Sequence, residues 1–115
     1  MYNVYIISDY MDDGGYRYKI GRTKRDPKIR LKEFKTGNSR PLEVVKVFES
    51  KWGTKIEAAL HRRFSYKRMD GEWFDLDEED LNNFEKECLQ MHRNFECLAE
   101  NSDWFQEQKE FKRFI

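Results

Sequence analysis

The chain has 115 residues, 38% of them charged and 38% hydrophobic, and its 22 Lys and Arg are balanced by 22 Asp and Glu. That length supports one core rather than two full domains, and no run approaches the roughly 20 apolar residues of a membrane-spanning helix. The opening MYNVYIISDYMDD lacks the basic stretch and long apolar run of a secretory signal, so with only two cysteines a reducing, cytoplasmic setting is expected.

Residues 2–8, YNVYIIS, are β-branched and aromatic and predict a strand. DYMDDGG is a turn cluster. YRYKIGRT then returns with Tyr16, Tyr18 and Ile20 alternating with Arg17 and Lys19, so the two segments form a hairpin. Gly21 closes the alternation, where the absence of a side chain lets backbone approach a partner closely. Asp26 and Pro27 are the expected N-cap and first residue of a helix. Its apolar positions are Ile29, Leu31 and Phe34, and TGNSRP ends it.

LEVVKVFES, with Val45 and Val47 alternating with Lys46, predicts a third strand. GTKIEAALHRRF predicts a second helix with Ile56, Leu60 and Phe64 facing inward. GEWFDL is a short extended segment. From Asp77 a long helix carries one stripe of Leu81, Phe84, Cys88, Met91, Phe95 and Leu98. Asn101 and Ser102 are expected to interrupt it before a last short helix with Trp104, Phe111 and Phe114. The order predicts an α+β domain, a three-stranded antiparallel sheet flanked by helices over residues 1–76. Residues 77–115 form an acidic helical extension packed on or beside it.

The balanced charge is unevenly placed. Residues 1–74 hold 17 Lys and Arg against 10 Asp and Glu, and residues 75–115 hold 5 against 12. A basic front half suits a polyanion, because neutralising phosphates releases counterions. The densest cluster is RYKIGRTKRDPKIRLKEF, residues 17–34, where Arg17, Arg22, Lys24, Arg25, Lys28 and Lys32 are candidates for holding a nucleic-acid backbone. The acidic half could cover that surface, repel nucleic acid, or bind a protein partner. Cys88, His92 and Cys97 lack a fourth ligand for a structural zinc site, and Cys88 already belongs to the apolar stripe.

Five features arrive in order: Val4-Tyr5-Ile6, Lys19-Ile20-Gly21, Arg30, Glu57 with His61 four residues on, and GEWF at residues 71–74. This set resembles the GIY-YIG nuclease family, in particular a phage-associated branch whose second motif reads KIG, over about residues 2–76. The resemblance implies a metal-dependent endonuclease acting on DNA, with RNA as the second substrate class, in the cytoplasm of the host cell for a phage-encoded chain.

Phosphodiester hydrolysis needs a deprotonated water, a Lewis acid on phosphate oxygen, and cations where charge develops. By residue type alone, Glu57 fits either a surface ion pair or a lone carboxylate on Mg²⁺ or Mn²⁺, and the resemblance implies the metal. It likewise assigns Arg30 to the scissile phosphate and Tyr5 to a place near the metal, as base or water-positioning group. Lys19 stands where many relatives carry a second tyrosine. Tyr18 faces the other side of the strand, since side chains alternate.

Two positions depart from the pattern. Asn3-Val4-Tyr5 lacks the usual glycine of the first motif, and Phe34 stands where many relatives carry a His or Tyr. Phe34 cannot carry a proton, which leaves His61 to act in its place or to be a half-buried structural histidine. Trp73 and Phe74 read as core, with base stacking as the alternative. The rival to a nuclease is a nucleic-acid-binding or protein-interaction module on the same fold, with residues 77–115 as a homodimer or partner surface.

Overall fold

The computed structural model describes residues 1–33 and 42–113, with side chains to residue 101. Strand β1 (Tyr2–Tyr10) pairs antiparallel with β2 (Tyr16–Thr23), in a register that sets Tyr5 opposite Gly21 and Ile7 opposite Lys19. The hairpin turns at Gly14, whose φ of 90° lies in the left-handed region that a side chain disfavours. Helix α1 (Pro27–Glu33) starts as its sequence predicts: the Asp26 carboxylate accepts from the Lys28 N–H at 3.0 Å. Strand β3 (Glu43–Ser50) joins the free side of β1, and helix α2 spans Gly53–Arg63.

Strands β4 (Arg68–Asp70) and β5 (Trp73–Phe74) add a second hairpin, with β5 against β2 at Tyr18 and Lys19. The α+β class is as expected, but the sheet has five strands rather than three, in the order β3-β1-β2-β5-β4. The two additional strands are three and two residues long, too short for an alternating pattern to register in the sequence.

The sheet separates two apolar clusters. On one face Val4, Ile6, Ile20 and Phe74 pack with Ile56 and Leu60 of α2, with Phe64 at its C-cap, and with Phe84 and Cys88 of the C-terminal helix. Burying a side chain of the size of Phe84 contributes about 2–3 kcal/mol. On the other face Tyr5, Ile7 and Leu42 pack with Leu31 of α1, Val44 and Trp73.

Some inward positions differ from expectation. Ile29 is 45% exposed while Pro27 of the same helix is buried, and Val45 and Val47 are exposed. A register shift in the β1–β3 pairing between Ile6 and Ile7 brings Val44 opposite Ile7, so Val44 enters the second cluster. Phe34 and TGNSRP lie outside the described residues.

Helix α3 (Glu78–Asn82) opens with a capping box between Asp77 and Asp80. After Asn83, α4 (Phe84–Arg113) runs as one helix through Asn101 and Ser102, where an interruption was expected. Two residues of middling helix propensity cost only tenths of a kcal/mol each, too little to break thirty residues. The Trp104 and Phe111 side chains and Phe114 lie outside the described residues. Met91 and Phe95 pack on the first cluster, and Leu98, the last position of the apolar stripe, is 62% exposed.

Three contacts fix α4 to the end of β3. His92 Nδ1 lies 2.7 Å from Ser50 Oγ, the Trp52 indole N–H donates to Glu96 at 3.0 Å, and Lys51 pairs with Glu96 at 2.7 Å. Cys88 is fully buried in the core and His92 is turned to Ser50. Among the described residues no group of three or more His, Cys, Asp or Glu is placed to hold a metal, and no helix is long and apolar enough to cross a membrane.

Candidate active site at the edge of strand β2

Strand β2 is longer than its partner β5, and this mismatch creates the site. Pairing with β5 covers Tyr18 and Lys19, after which the Ile20 N–H donates to the Glu72 carbonyl at 3.2 Å. The Ile20 carbonyl accepts from His61 Nε2 at 2.9 Å. Beyond Ile20 the outer edge of β2 opens onto a cleft of about 320 Å³ lined by Tyr2, Tyr5, Gly21, Arg22, Arg30, Glu57 and Glu72.

Gly21 lets the Tyr5 ring lie across the strand. A Cβ on Gly21 would stand 2.5 Å from the Tyr5 oxygen and 2.7 Å from Cζ, closer than atoms can approach. The Tyr5 side chain is almost wholly buried, yet its hydroxyl end borders the cleft. There it accepts a hydrogen bond from Arg30. Burial raises the phenol above its ordinary pKa, and Arg30 only partly opposes that shift. Tyr5 is therefore a neutral phenol at physiological pH.

Arg30 projects from α1 and also pairs with Glu33 at 2.6 Å. Glu33 holds Arg25 as well, and these two guanidinium groups keep its carboxyl below the usual range. Glu57 reaches the cleft from the opposite face of the sheet, on α2. Its side chain is 11% exposed, and Oε2 accepts from Arg22 Nη1 at 3.0 Å. Oε1 stands 3.8 Å from His61 Nε2, beyond hydrogen-bond distance. The second cleft carboxylate, Glu72, pairs with Lys19 at 2.9 Å.

Four of the five residues singled out for chemistry thus meet at one edge: Tyr5, Arg30 and Glu57 line the cleft directly, and Lys19 holds Glu72 there. His61 is placed differently. A carbonyl only accepts, so Nε2 carries the hydrogen, and the ring packs edge-on against Phe74 at 5.0 Å. Its geometry is that of a strand cap, one helical turn from Glu57.

The six basic candidates are divided. Arg22 lines the cleft, while Lys24 lies 5.1 Å from the centroid of the Tyr2 ring. Arg25 is tied to Glu33, and Lys28 and Lys32 are exposed on α1. Arg17 is remote, five residues or about 17 Å along the strand from Arg22. It pairs with buried Asp9 at 2.8 Å and covers Trp73 at 4.1 Å.

The acidic half engages a different set of cations. Glu87 pairs with Arg63, Glu96 with Lys51, and Asp77 and Asp80 with Lys67. These C-terminal carboxylates therefore neutralise α2 and its flanks, and none of these pairs takes a cation from β2 or α1.

Tyr2 is a cleft residue that the sequence did not single out, and Glu72 was legible only as part of GEWF, with no site role. Each becomes visible only once the neighbouring strands are in register, since no spacing along the chain links either to Glu57.

An α+β domain with a mixed-charge cleft at one sheet edge, offering a phenol, two arginines and two carboxylates, is equipped to hold a phosphate ester. The family model of the T5orf172 domain matches residues 3–89, and the chain belongs to that family, a phage-associated domain found in some nuclease-like proteins. No curated protein and no solved structure matches the chain.

Proposed function

We propose that this chain is a metal-dependent endonuclease of the GIY-YIG type that hydrolyses phosphodiester bonds in DNA, with RNA as the second substrate class. The observation that carries the reading is the convergence of Tyr5, Arg30 and Glu57 on one open cleft from three separate elements, β1, α1 and α2. Their sequence order matches that family's motifs, and membership of a family found in some nuclease-like proteins agrees with it.

The residues present fit a hard divalent cation. Mg²⁺ and Mn²⁺ take oxygen ligands, and Mg²⁺ is commonly held by one or two carboxylates, with water and substrate phosphate filling the remaining positions. Glu57 and Glu72, both lining the cleft, offer that set, with Glu57 as the principal ligand. When bound, the cation supplies Lewis acidity toward a phosphate oxygen and lowers the pKa of an attacking water.

The protein's own groups do the rest. Arg30 and Arg22 offer planar forks to the non-bridging phosphate oxygens and stabilise charge as it builds there. Tyr5, its hydroxyl end beside Arg30, orients the attacking water. Lys19 fixes Glu72, and His61 fixes the β2 edge beside Glu57. Exposed Lys24, Lys28 and Lys32 extend the cationic surface along which a backbone can lie.

A second reading, a binding module without the reaction, is favoured by one observation: each cleft carboxylate already has a basic partner, Arg22 on Glu57 and Lys19 on Glu72. A cleavage assay separates the two. Labelled single-stranded DNA, duplex DNA, branched DNA and transfer RNA are incubated with Mg²⁺, Mn²⁺ or chelator. The nuclease reading predicts cutting of at least one substrate that chelator abolishes. Salt-sensitive binding without cutting of any of them supports the module.

A further inference from the structure

We infer that Arg22 is a latch on Glu57 that substrate phosphate releases, so that the cleft takes up its divalent cation together with nucleic acid and not before it. The inference rests on the nuclease reading above. The Arg22 guanidinium holds Glu57 Oε2 at 3.0 Å, on the carboxylate that would receive the cation. A divalent cation on either oxygen of this nearly buried carboxylate would stand within a few ångström of the guanidinium and be repelled by it, so the two compete.

The two basic partners in the cleft differ in freedom. The Lys19 side chain is 14% exposed, and Trp73 lies 5.6 Å from its ammonium. Arg22 is 41% exposed and sits next to the end of β2, with its guanidinium 5.9 Å from the Tyr2 ring while it pairs with Glu57. Arg22 is therefore the more mobile of the two, and its departure from a nearly buried carboxylate is favourable only when a cation takes its place there. A phosphate diester arriving in the cleft offers the guanidinium a bidentate anion in exchange.

Transfer of Arg22 to phosphate exposes Glu57 and adds a cation to the substrate side at the same moment. By linkage, nucleic acid raises cation affinity and the cation raises nucleic-acid affinity by the same factor. Arg22 thus holds Glu57 before substrate arrives and contacts phosphate afterwards, and this exchange sets the order of assembly.

The test is Mn²⁺ binding, followed by loss of the free-ion electron paramagnetic resonance signal, with the full chain and no cleavage readout. Native protein, Arg22→Gln, Arg22→Lys and Glu57→Gln are titrated alone and with a cut-resistant phosphorothioate duplex, corrected for Mn²⁺ taken up by the duplex itself. Arg22→Gln is expected to bind Mn²⁺ about fivefold tighter than native protein when no duplex is present. Arg22→Lys falls between them and keeps the charge should the glutamine variant fail to fold.

The duplex should raise the affinity of the native chain by a larger factor than that of Arg22→Gln, because phosphate ligation of the cation is common to both and only the native chain also loses its latch. If both Arg22 variants bind Mn²⁺ no tighter than native protein while Glu57→Gln loses it, the latch is wrong and the cation assignment stands. If Mn²⁺ uptake is indifferent to Glu57→Gln, with and without duplex, the cation assignment itself fails and the latch fails with it.

Discussion

A Cβ on Gly21 would stand only 2.5 Å from the Tyr5 oxygen, and these two residues face each other across the β1–β2 ladder. The glycine thus places the phenol by absence. Gly21→Ala forces the ring to move, which is expected to cost about 1–3 kcal/mol, as overpacking of a filled core does. Urea unfolding should show a lower midpoint with unchanged slope, and nucleic-acid binding should weaken because Arg30 loses one of the groups that orient it while keeping Glu33. An alanine variant as stable as the native chain, with equal binding, contradicts this placement.

His61 is expected to matter for stability more than for proton transfer. Losing its donor to the Ile20 carbonyl in His61→Ala should cost about 1–3 kcal/mol, the range for leaving a buried acceptor unpaired. His61→Gln, which can restore an N–H donor, should recover part of that loss. If instead the glutamine variant is fully stable and any cutting activity loses its basic pH limb, His61 carries a proton after all.

The two thiols should behave as opposites. Cys97 is exposed and should react with a thiol reagent in the native state, whereas Cys88 is fully buried, its pKa pushed up to about 12 by burial and then by Glu87 and Glu85. One thiol should titrate in native protein and two in denaturant. A folded pKa above the unfolded value keeps the proton on the native state. That contribution to stability is whole below the ordinary thiol pKa of 9.0 and is lost as pH climbs towards about 12. Unfolding midpoints measured across this range should fall more in the native chain than in Cys88→Ala.

The C-terminal helix belongs to the core through Phe84 and Cys88. A fragment of residues 1–76 exposes the face of the sheet that these residues and Met91 cover, and it is expected to be insoluble or unfolded by circular dichroism. A monomeric, cooperatively folding fragment would assign residues 77–115 a separate role, such as a partner surface.

Much of this architecture was legible in local chemistry. The Asp26–Pro27 start of α1 and the i, i+4, i+8 face of α2 were each specified by a few neighbouring residues, and so was the alternation that puts Lys19 and Tyr18 on opposite faces. What the sequence hid was tertiary. Glu72 enters the cleft because β5 stops at Trp73 and Phe74, and Val45 turns outward because of a register shift at Ile6 and Ile7. The Arg22–Glu57 pair, 35 residues apart in sequence, depends on strand order, which periodicity does not encode. The uninterrupted α4 shows the converse, a local signal at Asn101 and Ser102 too weak to end a long helix.

The most direct measurement is single-turnover cleavage by Glu57→Ala beside the native chain, with Mg²⁺ and Mn²⁺, on whichever substrate the native chain cuts. Removing the carboxylate should abolish cutting while leaving substrate binding intact or strengthened, because Arg22 is freed for phosphate. Cutting by the variant at the native rate would contradict the account, since it would show that the cleft assembled at Glu57 is not where the phosphodiester is broken.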